Sequence, residues 1–544
     1  MNFDFSNQFP YDSVRDAQEQ SINYALDQFI NKGKKFVVLE LGTGCGKSGV
    51  GLTLARYLRE NDNKEEDFLP GAYFITTQKV LQDQYVKDFG PSTGGVMRSI
   101  KSSTNYDCSF YPKQSCGESR QALKNEPKHT KFFKACAFNC KYKRSKSEFI
   151  ASPESVTNFP YFLTEAALSG QLEPRQTLVI DEAHNIETEL SRFVEVTISE
   201  YFGNKILKLD MPSVLNTQKQ AIDWLTRVYL PKLNSHLNHI NIMMAKYSGL
   251  ESKIKEMTSI SRQIDLLKGH KQKIVTFLKV HSKDNWVMNV QSGMGRKKRK
   301  IEFKPIDISP FTEQYLFRLG QRIIMMSATI LNKEAFCESL GIDQKDVGFI
   351  SVPTPFPLEN RPIFYAPVGK MSRNSIDDTL PKLAEAVKAI LDNHPDEKGI
   401  IHAHTFKIAQ YLKRTLRSRR IIIHDSSNRE EILQKHINSK KPTVLISPSM
   451  TEGVDLKGET SRFQIICKIP YPYLGDKLCR KRMNKWSWWY PMQTTKTIVQ
   501  ATGRSVRSMD DFAVTYILDA DWGRFYGQNK MMFPQSFRES IKAV

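Results

Sequence analysis

The chain is 544 residues long, and its 40% hydrophobic content is enough for several cores, about three or four domains on length alone. Lys and Arg (79) outnumber Asp and Glu (58); the formal charge of +21 favours a polyanionic partner over a merely basic surface, without separating DNA, RNA and anionic membrane. No apolar run approaches the ~18–20 residues of a membrane span, the first residues form no leader peptide, and 8 cysteines are too few for a disulfide scaffold, so a reducing setting is expected, cytoplasmic or nuclear.

A polar helical pattern covers residues 13–31. The apolar segment 36–41 reads as a strand, runs into a Gly-rich turn, and is followed by a predicted helix over 49–59. Strand, turn and helix in that order indicate a parallel α/β sheet. A strand over 71–76 and a helix over 79–89 come next. From 101 to 150 the periodicity is lost, and 11 Lys and Arg stand against 4 Asp and Glu. The sheet pattern returns at 176–184. Residues 187–279 read as mostly helical and amphipathic. Segments 286–290 and 301–304 flank a basic turn as a hairpin, and 322–329 is a buried strand. After the Pro-rich VPTPFPLENRP a second α/β series begins, with strands predicted at 399–404, 420–424, 443–447, 463–469 and 512–519.

The Gly-rich turn is Thr43-Gly44-Cys45-Gly46-Lys47-Ser48, set between strand and helix. Its backbone N–H groups and the helix N-terminus can cradle phosphates, with Lys47 on the β/γ oxygens of ATP and Ser48 on Mg²⁺. Leu41 stands where a strict G-x-x-x-x-G-K-[ST] pattern has glycine. Cys45 reads as a small filler side chain, with a redox-sensitive thiol as the alternative. Further on, LVIDEAH ends a strand on two carboxylates. Asp181 is placed to bind Mg²⁺ and Glu182 to direct the attacking water; an ordinary strand ending in acidic residues is the bland reading. His184 either couples nucleotide state to Ser327-Ala328-Thr329 or caps a helix. In QATGRSVR, Gln500 leads Arg504 and Arg507, expected on one helix face and able to meet a γ-phosphate across a cleft; a basic helix start at the surface is the alternative. Asp455, after the strand at 443–447, is expected to bind the ribose or organise the arginines.

Cys108, Cys116, Cys136 and Cys140 are spaced C-x7-C-x19-C-x3-C. Four thiolates suit a [4Fe–4S] cluster; Zn²⁺, or no metal at all, remain as alternatives, though structural zinc more often shows a C-x₂₋₄-C pair on each side. The basic run Arg296-Lys297-Lys298-Arg299-Lys300 suits phosphate contact or a solvated turn equally well. The aromatic run from Lys485 to Pro491 suits packing better than base stacking.

These residues, in this order, resemble the XPD/DinG iron–sulfur group of superfamily 2 helicases. Arg15 and Gln18 are similar to that group's adenine-side motif, ITTQKVLQDQYVKDF to its motif Ia, and VTNFPYFLTE, DEAH, SAT, EGVD, KIPYPYLGDK and QATGRSVRSMDDFAVTYILDADW follow in the group's order. The resemblance implies an α/β fold with two RecA-like P-loop domains of parallel sheet. The first would comprise 1–100, 151–186 and 311–350, interrupted by an iron–sulfur domain (101–150) and a mostly helical arch (187–310); the second would be 351–544. It implies an ATP hydrolase and DNA helicase, a monomeric motor moving 5′-to-3′ on single-stranded and forked DNA, in repair, replication or recombination. A DNA-stimulated ATPase acting as a switch or clamp without strand separation is the alternative.

Overall fold

A computed structural model describes residues 3–111, 113–120, 128–247, 253–291, 298–425, 428–448, 456, 458–503 and 505–542. Two seven-stranded sheets organise it. The first is built from β1 (Phe36–Leu41), β2 (Leu69–Thr76), β3 (Arg98–Ser99), β4 (Glu154–Asn158), β5 (Arg175–Asp181), β9 (Gly320–Ser327) and β10 (Val347–Val352), in the order β10-β1-β9-β5-β2-β4-β3 and parallel throughout. The second joins β11 (Ile363–Gly369), β12 (Gly399–His402), β13 (Ile421–Ile423), β14 (Val444–Ser447), β15 (Phe463–Ile466), β16 (Val514–Asp519) and β17 (Ile541–Lys542) in the order β13-β14-β12-β15-β16-β11-β17, again all parallel. The inner strands are buried along their length, β1 and β5 at every residue. Parallel strands covered by helices on both faces need continuous apolar sequence, which FVVLEL and the LVI of RQTLVID supply.

Parallel pairing has one consequence for the site. The C-terminal ends of β1, β9 and β5 lie side by side, so the Gly-rich turn, Ser327 and Asp181 emerge at one edge of the sheet.

Between β5 and β9 the chain leaves the sheet. It forms a helical hairpin, Leu230–Tyr247 against Ile254–Val280, and a small antiparallel sheet of β6 (Val196–Ser199), β8 (Lys300–Pro305) and β7 (Trp286–Gln291). β6 falls inside the stretch expected to be helical: Val196 and Ile198 point inward and fill the third edge of what the sequence presents as a two-stranded hairpin. The stretch from 101 to 150 also departs from expectation, since it contains the helices Cys116–Ser119, Lys131–Phe138 and Lys141–Ala151. The polar strand β4 went unpredicted because ESVTN has almost no apolar signal; it is buried all the same, between β2 and β3, with Glu154 held by Arg56 at 2.7 Å. Among the described residues no helix is long and apolar enough to cross a membrane.

Candidate active site

The Gly-rich turn is shaped by what crosses it. Gly46 has φ +73° and opens the helix Lys47–Asn61; a Cβ there would lie 2.3 Å from Gln18 Nε2. Gly44 has φ +88°, and its Cβ would meet the Phe356 ring at 2.3 Å. Leu41 is the last residue of β1, paired with Val352, so the first position of the motif sits on a strand and needs no glycine. Arg15 Nη1 donates to the Gly44 carbonyl at 2.9 Å and Gln18 Nε2 to that of Gly46 at 3.4 Å, bracing the turn from outside. Thr354 Oγ1 donates to the Thr43 carbonyl at 2.8 Å, and Cys45, 1% exposed, packs with its Sγ against Pro353 O, as a filler should.

The two carboxylates differ in setting. Asp181 ends β5 almost wholly buried, and burial together with the adjoining Glu182 carboxylate pushes it up to about 6, against the pull of Lys47. Its Oδ1 accepts from the Glu182 N–H at 2.9 Å and its Oδ2 from the Tyr85 hydroxyl at 3.4 Å. Glu182 is turned out of the strand by a left-handed backbone, φ +53°, a conformation that strains a non-glycine residue. That turn brings its carboxylate within 3.9 Å of Lys47 Nζ and 3.3 Å of His184 Nδ1. A buried carboxylate and a second one aimed into the opening thereby stand on adjacent residues.

The other wall comes from the second sheet's domain. The helix Trp489–Thr502 presents Gln500, whose Nε2 donates to His184 Nε2 at 2.8 Å and to Thr329 Oγ1 at 3.3 Å. With Nε2 accepting, the imidazole proton lies on Nδ1, 2.7 Å from Ser327 Oγ. His184 therefore touches Glu182, Ser327 and the opposite wall, the contacts that the coupling alternative requires. The expected single helix face for the arginines is corrected: the helix ends at Thr502, where the motif's glycine caps it, so Arg507 lies beyond it, its N–H on Asp511 at 3.2 Å. Arg504 and Asp455 lie outside the described residues. Between the walls is a cleft of about 1170 Å³, room for a nucleotide, lined by Lys47, Ser48, Asp181, Glu182, Gln500 and Arg507 among others.

Comparison with known proteins places this geometry. Residues 402–540 match the model of a helicase C-terminal domain, and residues 12–211 that of the type III restriction enzyme res subunit. The chain is 24% identical to the ATP-dependent DNA helicase DinG of Photobacterium profundum over 40% of its own length and 34% of that protein, and 23% identical to the ATP-dependent DNA helicase YoaA of Escherichia coli over 40% and 36%. It thus spans about a third of the length of these two curated relatives. A probable ATP-dependent helicase of Methanocaldococcus jannaschii is 19% identical over 94% of this chain and 93% of its own. A solved XPD helicase superposes with a TM-score of 0.66 at 16% identity, covering 98% of this chain and all (100%) of the other; Xpd4 of S. tokodaii gives 0.58 at 14%, covering 97% and 100%. The chain is similar in sequence to the helicases DinG and YoaA and in fold to XPD helicase.

The four clustered cysteines are the place to look for a metal. Cys116 Sγ lies 3.7 Å from Cys140 Sγ, and burial, with Cys140 and then Cys136 and Cys108 close by, pushes the Cys116 thiol up to about 12. Repulsion among thiolates keeps these thiols protonated, and a bound cation would offset it, so the donor chemistry fits a thiolate-bound centre. The backbone N–H of Tyr111 already donates to Cys108 Sγ at 3.3 Å. Among the described residues, however, no three His, Cys, Asp or Glu side chains close into a single-ion site.

Sequence reasoning missed two contributors. Tyr85, fully buried behind Ser48 and Asp181, is held protonated by burial and by the Asp181 charge; its position inside the helix Lys79–Phe89, after ITTQ, was the available signal. Glu40, in the middle of an apolar strand, accepts from the Leu331 N–H at 2.6 Å and from Ser351 Oγ at 2.7 Å, fixing the chain just after Thr329. Arg299 belongs to no free basic tip: it pairs with Glu200 at 2.9 Å and donates to the Met211 and Pro212 carbonyls. Arg296 and Lys297 lie outside the described residues. In the aromatic run, Trp486 and Trp489 are buried against Cys479, as packing requires.

Proposed function

We propose that the chain is an ATP hydrolase that drives 5′-to-3′ movement along single-stranded DNA and separates duplex ahead of it. One observation carries this: a cleft whose two walls come from different sheets, with Lys47, Asp181 and Glu182 on one and Gln500 and Arg507 on the other, bridged at the acid pair by His184 and Thr329. Lys47 and the N–H groups of residues 44–48 hold the phosphates. Ser48 and Asp181 would hold Mg²⁺, which would supply neutralising charge to the phosphates. Glu182 orients the attacking water, and Arg504 and Arg507 meet the charge that develops on the transferred phosphoryl group. Arg15 and Gln18 set the turn from the adenine side, and Asp455 serves the ribose. Hydrolysis is thereby tied to closure of two lobes, the requirement for converting chemistry into a step along a strand.

The excess positive charge supports a nucleic-acid track, and the names of the DinG and YoaA relatives specify DNA. The cysteine segment would hold a [4Fe–4S] cluster through Cys108, Cys116, Cys136 and Cys140, which organises a stretch poor in aliphatic residues. One distance favours a second reading there. The 3.7 Å between Cys116 and Cys140 is close to the edge of a tetrahedron with metal–sulfur bonds of ~2.3 Å, about 3.8 Å, as around a single Zn²⁺, but among the described residues no third ligand joins that pair. The motor reading is tested by strand displacement on duplexes with a 5′ or a 3′ tail, alongside ATP turnover. Displacement from the 5′ tail alone is expected. Turnover without displacement on either substrate assigns a clamp instead, and displacement from the 3′ tail reverses the polarity.

A further inference from the structure

The helix Trp489–Thr502 is fastened to the first lobe at both ends, and both fastenings fall on the few residues that follow the acid pair. At one end Gln500 reaches His184. At the other, Trp489 Nε1 donates to Glu187 Oε1 at 3.4 Å, and Arg482, on the preceding helix Lys477–Lys485, forms an ion pair with the same carboxylate. His184 and Glu187 lie on one continuous helical segment leading away from Glu182.

The two fastenings differ in strength. The Gln500 contact consists of neutral hydrogen bonds lining an open cleft, each worth only about 1 kcal/mol net against water, less than a charged one. Arg482 is 7% exposed, and its whole guanidinium fork is engaged: Nη1 with Glu187, Nε with the Ile306 carbonyl at 2.9 Å and Nη2 with the Pro305 carbonyl at 3.1 Å. The fork also faces the Trp489 ring at 5.7 Å. A buried fork with fixed acceptors on every side has no water to replace them. Its acceptors are also the points where the chain leaves the first sheet, just after Glu182, and where it returns, just after β8.

We infer that Arg482 and Glu187 form the pivot about which the second lobe swings. Opening breaks the Gln500 end and keeps the Arg482 end, so each closure returns Gln500 and Arg507 to the cleft in register. Arg482 is a positioning residue: it acts on the nucleotide only through the helix that carries Gln500. This rests on the ATPase reading above.

The test uses the full chain with Arg482→Met, Arg482→Lys, Glu187→Gln and the Arg482→Met/Glu187→Gln double variant. Loss of register predicts that Arg482→Met lowers kcat for ATP turnover on single-stranded DNA about 10- to 100-fold, with Arg482→Lys in between. KM for ATP and the affinity for MgADP stay within about twofold, since the first lobe carries nucleotide binding. The double variant is no slower than Arg482→Met, and amide hydrogen exchange across 489–502 speeds up. Unchanged turnover in Arg482→Met, losses that multiply in the double variant, or MgADP affinity falling in parallel with kcat would each overturn the pivot. A wild-type chain without ATP turnover rejects the ATPase reading instead, and hydrogen exchange then decides alone: unaltered protection of 489–502 in Arg482→Met overturns the pivot.

Discussion

Replacing Gln500 with alanine isolates the contact that only the closed cleft makes. Its amide donates to His184 at 2.8 Å and to Thr329 at 3.3 Å. Truncation removes two neutral hydrogen bonds, each worth about 1 kcal/mol net, and strands an imidazole acceptor in a part-buried site for about 1 kcal/mol more. The closed state should lose about 2–3 kcal/mol, roughly 30- to 150-fold at about 1.4 kcal/mol per factor of ten. Because Lys47, Ser48 and Asp181 stand on the other wall, the loss should fall on kcat and leave nucleotide binding alone. Steady-state ATP turnover with saturating single-stranded DNA, paired with MgADP titration calorimetry, separates the two. Wild-type turnover in Gln500→Ala, or a loss of MgADP affinity as large as the loss of turnover, refutes the assignment of His184 and Gln500 as the closure contact.

Lys47→Ala should abolish DNA-stimulated ATP turnover while leaving DNA binding by fluorescence anisotropy unchanged; full turnover in this variant removes the phosphate site from residues 43–48. The Cys116→Ser variant should lose bound metal and become sensitive to protease between 101 and 150, with iron expected in the wild-type chain by elemental analysis; one zinc per chain assigns the tetrahedral centre. Acid should weaken the second lobe through His436. Burial, helped by Lys398 and opposed by the Thr460 carbonyl, pushes this imidazole down from 6.5 to about 4. The unfolded chain therefore binds a proton that the folded one refuses. The stability is fully present above pH 6.5 and is lost as the pH falls towards 4, about 3 kcal/mol at about 1.4 kcal/mol per unit. Denaturant titrations of His436→Gln should show a flatter pH dependence over that window, and an unchanged slope would locate the acid sensitivity elsewhere.

Much of this was legible without coordinates, for an identifiable reason. Phosphate chemistry needs backbone N–H groups, a lysine and a hydroxyl on consecutive residues, so Gly44 to Ser48 declare themselves locally, and a buried strand ending on Asp181 and Glu182 does the same. Cleanly apolar strands such as β1, β5 and β9 were readable because both their faces are covered. Whatever depends on partners distant in sequence was not. β4 is a buried strand made of polar residues because Arg56 and the neighbouring strands satisfy it. β6 belongs to a sheet closed by a strand about a hundred residues later in the chain. Arg507 leaves its helix because Gly503 ends it. Tyr85 and Glu40 enter the site only when helix and strand are packed beside it. Arg482 offers no local sign that its fork will be buried against Glu187, Pro305 and Ile306. The sequence alone determined which chemical groups the protein possesses, since these are properties of short segments. Only the tertiary structure decided which groups face one another across the cleft, because hydrogen bonds and ion pairs form between positions that the fold, and not the chain order, makes neighbours.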